Sequence, residues 1–430
     1  MTPYVSLSHS RREEVSLFWP VVLFTVGLAL LVWTLPLTGV RIPGMSRISA
    51  MAGAIPFPWK PVRPVHVLLP EASLAAPATA AGVVPDTRTV PGAPAGPVQP
   101  VTAPVIGGVP TAMHPALAQP LPSSFALQGF RHQWQTWNNC GPATITMATS
   151  FFGRPETQAH AAPFLKPNGN DKNVGPDELV AYARSLGLRA DLFYAGDLTR
   201  LKRLVANGVP VVIHIWFTPH PNDGMGHYRL LTGYDEPAQQ LVFHDSYQTP
   251  GVNVRLSYRA FDEDWRVFSR AYIPVYSAEK ADVVAAIVGA DADEGQLKAR
   301  ALHVAQEELA AKQNDAYAWF NLGTALTRAG RTAEAVQAFD RARALRLPWR
   351  MLWYQFAPFE AYLAEGRLSD VLALTGANLQ QAPDLEESLY FRGKALEAQG
   401  QRAQARDAFQ AALRANPKFA PALHALSLAG

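Results

Sequence analysis

The sequence predicts an α+β domain over residues 125–278, followed by an all-α array of helical repeats over residues 295–430. Three observations predict it. A helix-spaced apolar stretch after Cys140 is succeeded by strand-like runs at 211–217, 226–235 and 241–245. From about residue 295 the chain turns rich in Ala, Leu, Gln, Arg and Glu, and Gly330, Gly366 and Gly400 recur at intervals of 36 and 34. Ahead of both regions lie an uncharged apolar run and a long proline-rich stretch.

The first element is a short tail, residues 1–16. Residues 17–37, LFWPVVLFTVGLALLVWTLPL, follow without a charge. About 20 residues of helix span a ~30 Å hydrocarbon core, and Trp19 and Trp33 sit where interfacial aromatics are favoured. The run outlasts a signal-peptide core, and Ala50-Met51-Ala52 lies well beyond it, so an uncleaved transmembrane anchor is expected. Lys and Arg are nearly balanced across it, with Arg11 and Arg12 before and Arg41 and Arg47 after. Residues 38–124 read as a linker rich in Pro and Ala, partly polyproline II, that holds a domain away from a membrane. Together these predict a cytoplasmic N-terminus, with everything after the anchor on the extracytoplasmic side.

Composition bounds the partners. The 430 residues carry a formal charge of only +3, and no basic stripe interleaved with aromatics exists, so no nucleic-acid partner is expected. The single cysteine, Cys140, excludes an intrachain disulfide and any CxxC metal site. His214, His220 and His227 fit no zinc-ligand spacing, and no cofactor is implied. His214, inside the apolar run VVIHIWF, reads as a core histidine. His220 belongs to a loop with two prolines.

A lone cysteine is ordinarily a small buried hydrophobe, but its neighbours argue otherwise. Asn138 or Asn139 is suited to an N-cap, Pro142 to a first helical turn, and Ile145, Ala148, Phe151 and Phe152 follow at helical spacing before Gly153. Cys140 therefore starts a mostly buried helix, where N-terminal amides favour the thiolate. A nucleophilic thiolate needs a histidine, a group that orients the histidine, and oxyanion donors. His227 begins one strand-like run and Asp245 ends the next. A turn at Glu236-Pro237 would fold these runs into a hairpin and bring the two residues together. Gln135 or Gln133 is placed to donate to an oxyanion beside the N–H of Cys140. His244 falls on the opposite face from Asp245.

The segments QTWNNCGPAT, GHYRLLTGYD and HDSY, in that order, resemble the three blocks of C39-like cysteine peptidases of the papain-like superfamily. The resemblance implies a papain-like fold, peptide-bond hydrolysis, Cys140 as nucleophile, His227 as base and acid, and Asp245 as the orienting carboxylate. The family's oxyanion glutamine lies six residues before the cysteine. Here that position holds Trp134, and Gln135 is the preferred stand-in over Gln133. No Walker A motif is present, so neither ATP use nor processing of secretion leaders is inferred.

The helical region resembles tetratricopeptide repeats. Trp319, Leu322, Gly323, Leu326, Ala335, Phe339, Ala342 and Pro348 fit one copy, and Leu389, Gly393, Leu396, Ala405, Phe409, Ala412 and Pro417 fit another. Tyr362, Gly366 and Pro383 mark a degenerate middle copy. A leading helix is expected at 297–313 and a capping helix at 418–430. Such an array implies a protein partner, with a structural arm packed on the α+β domain as the alternative. The aromatics Trp349, Trp353, Tyr354, Phe356 and Phe359 belong to its core or to a docking surface between the domains, with the core preferred. The whole reads as a membrane-anchored cysteine peptidase acting on peptides or proteins. The rival reading is a non-catalytic peptide-binding scaffold, which a Cys140 sulfur far from the His227 ring would favour.

Overall fold

The computed structural model describes residues 114–171, 173–219 and 224–428, all within one compact unit. The expected anchor at 17–37, nearly all of the linker, and His220 lie outside the described residues. Among the described residues no helix is long and apolar enough to cross a membrane.

The first part carries helices α1 (Pro115–Ala118), α2 (Cys140–Ser150), α3 (Gln158–Leu165), α4 (Pro176–Ser185), α5 (Leu198–Ala206), α6 (Tyr258–Trp265) and α7 (Ala281–Val288). Its strands are β1 (Ser124–Ala126), β2 (Arg189–Ala190), β3 (Val211–Phe217), β4 (Met225–Asp235), β5 (Gln240–Asp245), β6 (Val254–Ser257) and β7 (Tyr272–Tyr276). They form one antiparallel sheet in the order β2-β7-β3-β4-β5-β6. β1 extends the β3 edge of β4, pairing Ala126 with Gly233.

The apolar run of β3 is buried on both faces because the sheet divides two cores. Val211, Ile213 and Ile215 pack with Leu201, Leu204 and Phe261. Val212, one residue out of phase, packs with Ile145, Met147 and Leu179, as the two-residue period of a strand requires. Helix α2 is thereby held against the sheet, and every residue from Gly141 to Ser150 is buried.

The second part is helical: α8 (Glu294–Ala311), α9 (Ala316–Arg328), α10 (Thr332–Ala344), α11 (Ala357–Ala364), α12 (Leu368–Gln381), α13 (Glu386–Ala398), α14 (Arg402–Ala415) and α15 (Ala420–Leu428). α9/α10 and α13/α14 repeat one packing device. A Cβ on Gly323 would stand 2.6 Å from the Phe339 ring, and one on Gly393 would stand 2.5 Å from Phe409, so only glycine lets the paired helices approach. The middle copy departs from this pattern. The 3-10 turn Trp349–Trp353 precedes a first helix of only 8 residues. Its aromatics do not share one fate. Trp353 and Phe359 are buried, whereas Tyr354 is only partly covered and lines a cleft of the sheet domain. The preference for the core is corrected for Tyr354, which takes the alternative place at the docking surface between the two parts.

The repeats pack on the sheet domain through a common core. Trp216, Val267 and Phe268 from the first part join Phe320, Met351 and Leu352 from the second. Arg266, which is buried, donates to Glu308 (2.7 Å) and Asp315 (2.7 Å), and Asn321 Nδ2 donates to the Arg266 carbonyl (2.8 Å).

Candidate active site

Cys140 is the first residue of α2. Asn139 holds the N-cap position, but its side chain does not cap the helix. Its Nδ2 donates to Thr136 Oγ1 (2.8 Å) and its Oδ1 accepts from Lys166 Nζ (3.1 Å). The first amides of α2 therefore lack a side-chain acceptor from this residue, and the Gly141 backbone amide bears on the cysteine sulfur.

β4 and β5 form the expected hairpin, with Arg229 directly opposite Asp245. His227, two residues before Arg229, is turned the same way. His227 Nε2 donates to Asp245 Oδ1 (3.0 Å), and the imidazole is hydrogen-bonded to the Cys140 side chain. Because Nε2 is taken by the carboxylate, Nδ1 is the nitrogen left for the thiol. Asp245 is fully buried and held from every side. Tyr247 N (2.7 Å) and Gln248 N (2.9 Å) also donate to Oδ1, and Arg229 Nε donates to Oδ2 (2.6 Å).

This geometry sets the charges. Burial alone would raise the Cys140 thiol, but the His227 hydrogen bond and positive charge, with the Tyr228 and Gly141 backbone, bring it below its ordinary value. Burial alone would lower His227, but the Asp245 carboxylate and the Cys140 contact lift it to about 9. Asp245 falls well below the usual carboxylate range: burial opposes this, and His227, Arg229 and the backbone amides outweigh it. The two shifts, thiol down and imidazole up, both favour a thiolate–imidazolium pair over the neutral pair.

The two glutamines separate cleanly. Gln135 lines the cleft with Cys140 and His227. The Ser246 hydroxyl donates to Gln135 Oε1 (2.9 Å), which leaves its NH2 end for the cleft. Gln133 spends both ends elsewhere: Nε2 donates to Thr146 Oγ1 (3.0 Å), and Oε1 accepts from Gln158 N (2.9 Å). His214 is buried between Tyr228 (4.4 Å between ring centroids) and Phe268 (3.5 Å). Burial and the nearby His227 charge push it down to about 3, so it stays neutral. His244 turns away from the site toward Phe130 (5.2 Å).

Sequence reasoning passed over Arg229 and Tyr354. For Arg229 a signal existed, because it sits at i+2 from His227 on one strand and so shares its face. For Tyr354 no local pattern pointed to the cleft.

Comparisons with known proteins agree with this architecture. The model of the Peptidase_C39 like family matches residues 127–273, and tetratricopeptide repeat models match 316–345 and 386–419. No curated protein matches the chain. Among solved structures it is similar to the peptidase domain of Streptococcus ComA, a bi-functional ABC transporter involved in a quorum sensing pathway. The identity is 19%, covering 35% of this chain and 99% of that one, with a TM-score of 0.29. It is similar to a C39-like peptidase from Bacillus anthracis (16% identity, 36% and 98% covered, TM-score 0.31). It is similar also to Xylellain, a cysteine protease from Xylella fastidiosa (12% identity, 38% and 88% covered, TM-score 0.30). Residues 127–273 are thus a domain of the C39-like peptidase family, and the helices that follow carry tetratricopeptide repeats.

Proposed function

We propose that this protein is a cysteine peptidase that hydrolyses peptide bonds through Cys140, His227 and Asp245, with Gln135 as oxyanion donor. The observation that carries the reading is the unbroken hydrogen-bonded series from thiol to imidazole to carboxylate at a cleft. The Cys140 thiolate attacks the scissile carbonyl carbon, and the C=O π pair moves onto oxygen. That oxyanion accepts hydrogen bonds from the Cys140 N–H and Gln135 Nε2. On collapse the C–N bond breaks, the His227 imidazolium gives its proton to the leaving amine, and a thioester remains. Water then loses a proton to His227 and attacks the thioester. The C–S bond breaks, releasing the acid and restoring the thiolate. Asp245 keeps the imidazole oriented throughout and is itself never protonated.

The contact between Cys140 and His227 is the reverse of the separation that would favour a scaffold. The direct test is labelling of full-length protein with a thiol-directed peptide warhead. Wild type should be labelled and Cys140→Ala should not; equal labelling of both sinks the reading.

The wider reading is a peptidase anchored by residues 17–37, with its domains on the extracytoplasmic side and the repeats recruiting a protein substrate or partner. The uncharged apolar run and the proline-rich linker support it. Membrane fractionation and protease accessibility in intact cells and inverted vesicles test the anchor. A peptidase digested only in inverted vesicles would reverse the orientation.

A further inference from the structure

The repeat region reaches the candidate active site. Tyr354, the residue after the 3-10 turn Trp349–Trp353, lines the same cleft as Cys140 and His227. Its ring lies against β4. A Cβ built on Gly226, the residue before His227, would meet Tyr354 Cδ1 at 3.1 Å, Tyr354 Cγ at 3.2 Å and His214 Nε2 at 3.0 Å. The ring stands edge-on to His214, with centroids 6.5 Å apart and planes at 88°.

The position of Tyr354 is fixed from behind. Met351 and Leu352 are buried in the core shared with Trp216 and Phe268. Asn378 Nδ2 donates to the Leu352 carbonyl (3.0 Å), and Gln355 Nε2 donates to the Val267 carbonyl (3.1 Å). A side chain whose flanking residues are tied on both sides, one through its carbonyl and one through its side chain, acts as a wall. The free space left in the cleft is about 70 Å3. On this side the wall is aromatic and uncharged, made by Tyr354 and the neutral His214 backed by Tyr228. A charged side chain placed against these rings would lose hydration to an apolar face.

We propose that Tyr354 is a specificity-determining residue: the repeat region supplies one wall of the substrate cleft and thereby limits the size of the uncharged side chain accepted beside the scissile bond. The inference rests on the peptidase reading above and adds to it that the two modules build one substrate site. Shortening the wall should admit larger side chains, and thickening it should exclude them. One extra or missing methylene in an apolar pocket changes discrimination by roughly 10–200-fold.

The test uses the full chain and internally quenched peptides that differ only by Ala or Phe at one position, scanned over three residues on either side of the cleaved bond. The readout is the Ala-to-Phe ratio of kcat/KM at each position, which a general loss of stability would not move. At one position at least, Tyr354→Ala should lower that ratio about tenfold or more, and Tyr354→Trp should raise it. Ratios within twofold of wild type at every position, in both variants, overturn the inference while leaving the peptidase reading intact. No cleavage by wild type, or equal cleavage by Cys140→Ala, overturns the peptidase reading and this inference with it. If Tyr354→Ala does not fold, as judged by its melting curve, Tyr354→Leu and Tyr354→Trp decide the question by the same ratio.

Discussion

Two buried charge clusters flank one cleft and are built on opposite rules. On the sheet side the signs alternate along Cys140, His227, Asp245 and Arg229, and each charge touches an opposite one. On the other side carboxyls gather. Asp171, which lines the cleft, and Glu178 stand near Glu386 and Glu387 at the start of α13. Burial first, and mutual repulsion second, raise Asp171 to about 8 and Glu387 well above its ordinary value, with Lys166 tempering Asp171. Burial, with Asp177 and Glu386 beside it, raises Glu178 to about 7. Asn173 Nδ2 donates to Glu387 Oε1 (2.7 Å) and ties the two sides of this contact. The difference teaches how a buried site tolerates charge. Alternation keeps ions ionised over a wide pH range, whereas like groups stay together only by retaining protons.

The largest expected effect comes from breaking the alternation at its centre. Asp245→Asn removes the charge that holds His227 as imidazolium, and kcat/KM should fall by as much as about 10⁴. The same variant tests the pH profile. In wild type the ion pair exists above the lowered Cys140 value and below about 9, so activity should decline as pH rises through about 9. In Asp245→Asn that basic limb should move to lower pH; an unmoved limb would mean that Asp245 does not set it.

Next in size is Arg229→Met. It leaves the Asp245 Oδ2 without its cation in a site where Asp245 is fully buried and Arg229 is 2% exposed. Urea unfolding should show a loss of about 3–5 kcal/mol. Arg229→Lys should recover part of it, lacking the second bond from Nη2 to Gln248 Oε1 (2.7 Å). A Met variant as stable as wild type would show that the backbone amides alone hold the carboxylate.

The smallest effect belongs to the like-charged cluster. A carboxyl whose value is raised in the fold keeps a proton that the unfolded chain has lost. Its contribution is whole below the ordinary carboxylate range near pH 4 and drains away as pH climbs through 7 to 8. Glu387→Gln removes one of these acids while keeping the Oε1 acceptor for Asn173. It should stabilise the protein by on the order of 1 kcal/mol at pH 8 and by almost nothing at pH 5. An equal shift at both pH values would remove proton sharing from the account.

Much of the site was legible because its parts are local. Cys140 stands at a helix start marked by Asn, Gly and Pro, and the β4–β5 hairpin follows from two strand-like runs and one turn. The choice between Gln133 and Gln135 was not decided by sequence alone, because it depends on Thr146, Gln158 and Ser246, which meet the loop only on folding. Arg229 required the register that sets it opposite Asp245. Tyr354 required the docking of the whole repeat array, which no local period encodes. The repeats themselves were readable because Gly323 and Gly393 meet Phe339 and Phe409 in the same way.

Cutting the chain after Tyr276 would do more than remove the repeats. It would bare Trp216, Val267 and Phe268 to water and strand Arg266 without Glu308 and Asp315. Contiguous apolar surface of that kind drives self-association, so an excised sheet domain should be sticky and poorly soluble. Grafting the sheet domain into another protein would therefore mean transplanting at least the leading helices of the array with it.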